Sequence, residues 1–166
     1  LKEEQEEELR ELISNKNYFG VSEFAETLNL KEDLNNLFQM LGNLYVGSDE
    51  LQKAKEYAAA YPRIKNAISR LEELHQVLEL YEIEKYVSFE LGIVSNYQYY
   101  TGIIFAGYTF GSGEPVIKGG RYDELLTYFG KNSASIGFAV VIDQLMAALS
   151  RQKIEIPLVN QTLLLV

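Results

Sequence analysis

Apolar residues recur at helical spacing through the first half of the chain, with polar and charged residues between them. Such a period is typical of amphipathic helices. Gly20 interrupts the pattern, and Ser22 follows it as a candidate helix cap. Ser48 or Asp49 is the candidate cap of a later helix. The pattern predicts five helices, over residues 2–15, 22–28, 34–41, 51–58 and 64–78, of which the last is the longest.

The period of the pattern changes in the second half of the chain. Gly119 and Gly120 are interpreted as a hinge that leads into a helix. Helices followed by strands and short helices indicate an α+β fold with an antiparallel sheet. The predicted elements are a strand over 86–94, a hairpin of strands 103–110 and 115–118 around a turn at 111–113, a helix over 122–129, a buried strand over 134–141, a helix over 144–151 and a last strand from residue 158.

The same change of pattern suggests how the chain is divided. We expect a helical region over 1–82, a sheet-containing half-domain over 83–156 and the start of a following segment at 157–166. The chain begins without Met and closes on an apolar run that resembles a strand without a partner. We therefore expect a fragment of a longer protein.

Composition and charge narrow the function classes. The chain carries 15 basic and 24 acidic residues, a net charge of −9, which argues against a general nucleic-acid surface. The absence of cysteine removes disulfides and thiolate chemistry, and a single histidine argues against a histidine-based metal site. No apolar run approaches the about 18 residues that a membrane span needs. We expect a cytoplasmic protein without a cofactor.

A run of tyrosines precedes the predicted hairpin. Successive strand side chains point to opposite faces, so Gln98, Tyr100 and Gly102 would share one face. Gly102 has no side chain, which would leave room beside Tyr100 for a ligand lying against the sheet. The alternative is that Tyr100 belongs to the core and that Gly102 marks a bulge.

The second candidate site follows the predicted hairpin. Arg121 either pairs with Asp123 and pins the turn or faces a ligand, and Tyr122 either packs or lines the same cleft. Tyrosines that flank a glycine-floored cleft suit a planar, polar ligand, since each supplies a rigid ring and one hydroxyl group. No pair of nucleophile and base is visible, because the single histidine, His75, lies in the helical half.

Three motifs in this half resemble ordered blocks of the histidyl-tRNA synthetase catalytic domain. They are Tyr-Tyr-Thr-Gly at 99–102, Gly-Gly-Arg-Tyr-Asp at 119–123 and Ile-Gly-Phe-Ala-Val-Val-Ile-Asp-Gln-Leu at 136–145. The resemblance covers about residues 80–152 and implies a class II synthetase fold built on an antiparallel sheet. The helical half resembles, in position and character only, the insertion between the second and third class II motifs.

Two departures from the synthetase pattern concern positive charge. The family has an arginine shortly before its tyrosine pair and another in the third block, where this chain has Ser95 and Gln144. By this resemblance both arginines stabilise charge during amino-acid activation. The loss of even one such electrostatic partner typically lowers a rate by about 10² to 10³. We therefore expect no adenylate formation.

A synthetase-like chain without these arginines resembles the regulatory subunits of ATP phosphoribosyltransferase, the first enzyme of histidine biosynthesis. The resemblance implies a non-catalytic chain that the short catalytic subunit needs for activity, that mediates inhibition by histidine and that forms a homodimer at full length. It places histidine against Tyr100 and Tyr122, with Gln98 and Arg121 nearby. Two alternatives stay open: a fragment of an active histidyl-tRNA synthetase, and a helical interaction module beside a sheet that binds nothing.

Overall fold

The structure is a computed structural model that describes residues 2–42, 46–94 and 99–157. The chain divides into two compact units, residues 1–96 and 97–166. Within the described residues, the α-helices and β-strands are α1 (Glu3–Ser14), α2 (Tyr18–Thr27), α3 (Glu32–Met40), α4 (Ser48–Tyr57), α5 (Pro62–Leu80), β1 (Ile104–Gly107), β2 (Ile117–Tyr122), β3 (Ser135–Val140) and α6 (Ile142–Arg151). Short 3-10 helices lie at Ala58–Ala60, Glu84–Tyr86 and Leu125–Phe129. The predicted α+β fold class is confirmed, and the predicted last strand lies outside the described residues.

The first unit contains α1 to α5, close to the five predicted helices. The predicted interruption at Gly20 is wrong, because α2 begins at Tyr18 and includes that glycine. The reason is a cap outside the apolar pattern: the Asn17 side chain accepts a hydrogen bond of 3.0 Å from the Gly20 backbone N–H. The longest helix, α5, begins at Pro62, where the missing N–H of proline costs no helical hydrogen bond.

The core of the first unit lies between α3, α4 and α5. Leu51 and Ala54 are completely buried, on one side of α4. Phe89 belongs to the same core and forms an isolated antiparallel bridge with Val46. The strand predicted over 86–94 is wrong except for this bridge, since the segment begins with the end of a 3-10 helix and then continues without a regular partner. A second, smaller cluster around Val21 and Phe24 joins α1 to α2.

Two polar contacts to Glu90 hold the start of α2 against the last residues of the first unit. The Tyr18 hydroxyl donates to Glu90 Oε1 at 3.1 Å, and Lys16 Nζ lies 3.7 Å from the same oxygen. Burial raises the pKa of the Tyr18 phenol, and the hydrogen bond to Glu90 and the charge of that carboxylate raise it further. Gly92 lets the chain pass close to this contact, because a β-carbon at this position would lie 2.5 Å from the Leu41 carbonyl oxygen.

The second unit is built on an antiparallel sheet with the strand order β1-β2-β3 among the described residues. The hinge predicted at Gly119 and Gly120 is wrong, since both glycines lie in the middle of β2. The helix predicted over 122–129 is reduced to the 3-10 helix Leu125–Phe129, which ends as predicted at Gly130 with a positive φ of 76°. The predicted strand over 134–141 and the helix over 144–151 are present as β3 and α6. The burial predicted for that strand is wrong, because Ile136 and Phe138 on it are 70% and 66% exposed.

The end of α6 holds the β1–β2 loop. Gln152 donates through Nε2 to the Thr109 hydroxyl at 3.3 Å, and Arg151 donates to the Gly111 carbonyl. Gly111 has a φ of 80°, a left-handed conformation that favours glycine. Across the described ranges of the chain, no helix combines the length and the apolar character that a membrane crossing needs.

Candidate functional site

The two faces of the sheet differ in character, and the strand register defines them. Gly120 pairs with Gly137, whereas Arg121 pairs with Ile136. Paired residues share a face and neighbours along a strand alternate, so Gly120, Tyr122 and Gly137 lie on one face, here called the tyrosine face. Arg121 and Ile136 lie on the other, here called the apolar face. The strand register therefore places the two successive residues of the motif, Arg121 and Tyr122, on opposite sides of the sheet.

Three tyrosines form a cluster on the tyrosine face. The ring centroids of Tyr99 and Tyr100 are 4.6 Å apart, and those of Tyr99 and Tyr122 are 5.8 Å apart in an edge-on arrangement. The Tyr99 hydroxyl donates to the Tyr100 hydroxyl at 3.4 Å. Aromatic pairs at these separations stabilise one another beyond the area that they bury. The predicted site residues Tyr100 and Tyr122 are thus brought together, and Tyr99 joins them.

Two paired glycines form the floor under this cluster. A β-carbon at position 120 would lie 2.7 Å from Cδ1 of Tyr100, and one at position 137 would lie 2.7 Å from the Tyr122 hydroxyl oxygen. Both tyrosine side chains therefore contact backbone that carries no side chain. The predicted glycine floor beside tyrosines is present, but it consists of Gly120 and Gly137.

The floor role predicted for Gly102 is wrong. A β-carbon at position 102 would lie 3.0 Å from Cδ of Arg121, so the space beside this glycine is occupied by the arginine side chain. The reason is that regular strand geometry begins only at Ile104, so the alternation that linked Gly102 to Tyr100 does not hold there.

Arg121 makes contacts that fasten the turn after β2. Its Nε lies 2.9 Å from Oδ1 and 3.1 Å from Oδ2 of Asp123, which confirms the alternative of a structural ion pair. The Asp123 N–H donates to the Thr101 hydroxyl at 2.9 Å. Both backbone groups of Arg121 form hydrogen bonds. The Arg121 N–H donates to the Ile103 carbonyl at 2.9 Å, and the Arg121 carbonyl accepts from the Thr101 N–H at 3.0 Å. These bonds fix the strand that carries Tyr122.

The remaining predicted residues are placed as follows. Gln98 and Ser95 lie outside the described residues. Gln144 is half-buried in the first turn of α6. Sequence reasoning did not select Tyr99 or Gly137, although both belong to the motifs at 99–102 and 136–145. The signal that could have found them is the combination of adjacent tyrosines with a strand glycine in the next motif.

The tyrosine face also carries a positive charge. Lys118 precedes Gly120 by two positions and is exposed. Its cross-strand neighbours on the same face are Ala106 and Ala139, both small. A long flexible side chain among small residues can reach several ångströms across the face. The face therefore combines aromatic rings and phenol hydroxyls with one cation on β2.

A family profile described as histidyl-tRNA synthetase matches residues 1–145. A curated relative from Acetivibrio thermocellus, named ATP phosphoribosyltransferase regulatory subunit, is 39% identical over 155 residues, which are 93% of this chain and 37% of that protein. The chain thus spans little more than a third of the length of this relative.

Two solved structures share the fold. A crystal structure from Bacillus halodurans, described as an ATP phosphoribosyltransferase regulatory subunit/histidyl-tRNA synthetase, is 36% identical with a TM-score of 0.77, over 89% of this chain and 39% of that one. Histidyl-tRNA synthetase from Nostoc sp. PCC 7120 is 22% identical with a TM-score of 0.70, over 93% of this chain and 38% of that one, and shows the fold alone. The protein therefore belongs to the histidyl-tRNA synthetase family, with the class II fold that its three motifs predict.

Proposed function

We propose that this chain is part of a regulatory subunit of ATP phosphoribosyltransferase, which binds histidine and a separate short catalytic subunit and performs no catalysis itself. The observation that carries the proposal is the similarity over 93% of the chain to a protein of that name. The whole protein would be a cytoplasmic homodimer that contacts no nucleic acid. Its role would be to activate the catalytic subunit and to make that subunit sensitive to histidine.

The tyrosine cluster supports histidine as the ligand. An imidazole ring is planar and carries polar nitrogens at its edge, so it suits a site of neighbouring aromatic rings and hydroxyl groups. Tyr100 and Tyr122 would contact the imidazole, and Gln98 would add an amide group. Arg121 would act from the apolar face, where its pair with Asp123 keeps the Tyr122 strand in place. Lys118 on the tyrosine face would attract the carboxylate of the amino acid.

The absence of catalysis is argued from positive charge. Ser95 and Gln144 stand where the resemblance expects arginines, and neither is a cation. The arginine that remains in the second motif, Arg121, lies on the apolar face and already pairs with Asp123. Phosphoryl chemistry needs several cations aimed at the developing charge. The tyrosine face is thus suited to bind an amino acid and poorly suited to activate it.

The alternative function is that of a histidyl-tRNA synthetase fragment. It is favoured by the family profile, which carries that description and matches residues 1–145. The two functions differ in a measurable reaction, since a synthetase catalyses histidine-dependent exchange between pyrophosphate and ATP and a regulatory subunit does not.

The deciding experiment uses the whole protein with and without the short catalytic subunit. We expect the mixture to transfer phosphoribosyl groups to ATP, each protein alone to be much less active, and added histidine to inhibit the mixture. A Tyr122→Ala variant should still activate the catalytic subunit but respond only to higher histidine concentrations. Full activity of the catalytic subunit alone, or robust histidine-dependent pyrophosphate exchange by the whole protein, would refute the proposal.

A further inference from the structure

We infer that Gly120 and Gly137 are positioning residues for the tyrosine cluster: they let Tyr100 and Tyr122 approach the sheet closely and so fix the surface that a ring-shaped ligand meets. The inference rests on the proposed function only for the identity of the ligand. The geometry of the floor itself is independent of what binds there.

The two glycines form one continuous strip without side chains. They pair directly across β2 and β3, so they lie side by side on the tyrosine face. Glycine in the interior of a strand weakens it, and it often marks a place where another group must approach the backbone closely. Each of these glycines has such a group above it, Tyr100 over Gly120 and Tyr122 over Gly137.

The atoms that a side chain would meet differ between the two positions. At Gly137 the nearest atom is the Tyr122 hydroxyl oxygen at 2.7 Å, and the ring carbons Cε1 and Cζ follow at 3.3 and 3.4 Å. At Gly120 the nearest atoms are the ring carbons Cδ1 and Cε1 of Tyr100, at 2.7 and 2.8 Å. Removal of a hydroxyl would therefore relieve the contact at Gly137 but leave the contact at Gly120 unchanged.

This difference allows a test that separates positioning from a merely structural role. In the Gly137→Ala variant the new methyl group should displace the Tyr122 hydroxyl and weaken histidine binding about tenfold or more, as an added methylene does in a tightly packed site. In a Tyr122→Phe background the same substitution should weaken binding about twofold or less, since the remaining contacts are 3.3 Å or longer. Gly120→Ala should weaken binding equally in the presence and absence of the Tyr100 hydroxyl.

The matched control is Gly113→Ala in the β1–β2 loop. A β-carbon at position 113 would meet no atom within 4 Å, so binding and stability should stay as in the natural protein. Displacement of Tyr122 should alter the near-ultraviolet circular dichroism of the whole protein, so the difference spectrum between each variant and the natural protein reports on this tyrosine. We expect this spectrum to change in Gly137→Ala and not in Gly113→Ala.

The experiment is calorimetry with histidine on the whole protein, together with unfolding of the same variants. Equal weakening by Gly137→Ala in the tyrosine and phenylalanine backgrounds would overturn the inference. If Gly137→Ala fails to fold, folding of the double variant with Tyr122→Phe supports the inference, and failure of both contradicts it. If the natural protein binds no histidine, the proposed ligand is wrong, and unfolding measurements on the natural protein and the three variants of this cycle still decide whether Gly137 positions Tyr122.

Discussion

The helical unit and the sheet unit are stabilised in different ways. All but three of the buried apolar side chains in the described residues belong to the first unit, and the exceptions are Pro115, Val116 and Ala148. In the second unit, Ile136 and Phe138 on the apolar face are 70% and 66% exposed. The first unit is held together by side chains packed between helices. The second relies on strand pairing and on close contacts between aromatic rings and glycines. Removal of atoms should therefore damage the first unit, whereas addition of atoms should damage the second.

The largest expected effect is that of Leu51→Ala in α4. Leu51 is completely buried at the centre of the helical core, so the substitution leaves a cavity and should lower the free energy of unfolding by about 2–5 kcal/mol. Leu80→Ala is the matched control, because Leu80 is 82% exposed. Hydrogen exchange followed on peptides of each unit should show the loss in residues 1–96. A similar loss in both variants would contradict the packing argument.

The next effect is that of Gly119→Ala in β2. A β-carbon here would lie 2.5 Å from the Gly137 carbonyl oxygen and 2.6 Å from Cζ of Phe105. The Gly137 carbonyl belongs to the backbone of the paired strand and cannot move aside freely, so we expect a loss of about 1–3 kcal/mol, the usual cost of overpacking. The faster hydrogen exchange should appear in β1, β2 and β3. Unchanged protection of these strands would show that the sheet tolerates added atoms and that the comparison is wrong.

The two units also differ in how far their sequences predict them. The nineteen-residue helix α5 follows from its apolar period alone, because a helical face is a local pattern. The apolar period does not predict that Gly20 lies within α2, since the Asn17 cap that starts this helix is not part of the period. In the sheet, Gly119 and Gly120 give the local signal of a turn. Their role in a strand depends on rings contributed by β1, β3 and residues 99–100.

The candidate site shows the same division. The motifs identified Tyr100 and Tyr122, and the structure brings them together with Tyr99. The placement of Arg121 could not follow from the motif letters, since it depends on the register that pairs Arg121 with Ile136. Likewise, Gly137 becomes part of the site only because β3 pairs with β2 at Gly120. The sequence motifs thus identified which residue types form the candidate site. The face of the sheet on which each residue lies could be assigned only from the strand pairing.

A smaller and pH-dependent effect is expected for Tyr18 in the first unit. Its pKa is raised in the folded state, so its contribution to stability is complete below the unfolded value of 10.0 and is lost as the pH rises through the raised value. Tyr18→Phe should lower the free energy of unfolding by about 1 kcal/mol near neutral pH, the usual contribution of one hydrogen bond. The difference should shrink at strongly alkaline pH. Denaturant unfolding across this range measures it, with Tyr81→Phe as the control because Tyr81 is 72% exposed.

The smallest effect concerns the ion pair after β2. The side chains of Arg121 and Asp123 are 55% and 35% exposed, so solvent screens the pair and Asp123→Asn should cost at most about 1 kcal/mol. Because Arg121 lies on the apolar face, the same variant should bind histidine nearly as well as the natural protein. A loss of binding larger than about tenfold without a matching loss of stability would place Arg121 in contact with the ligand. The stability and histidine-binding measurements together therefore decide whether Arg121 only stabilises the strand that carries Tyr122 or contacts the ligand itself.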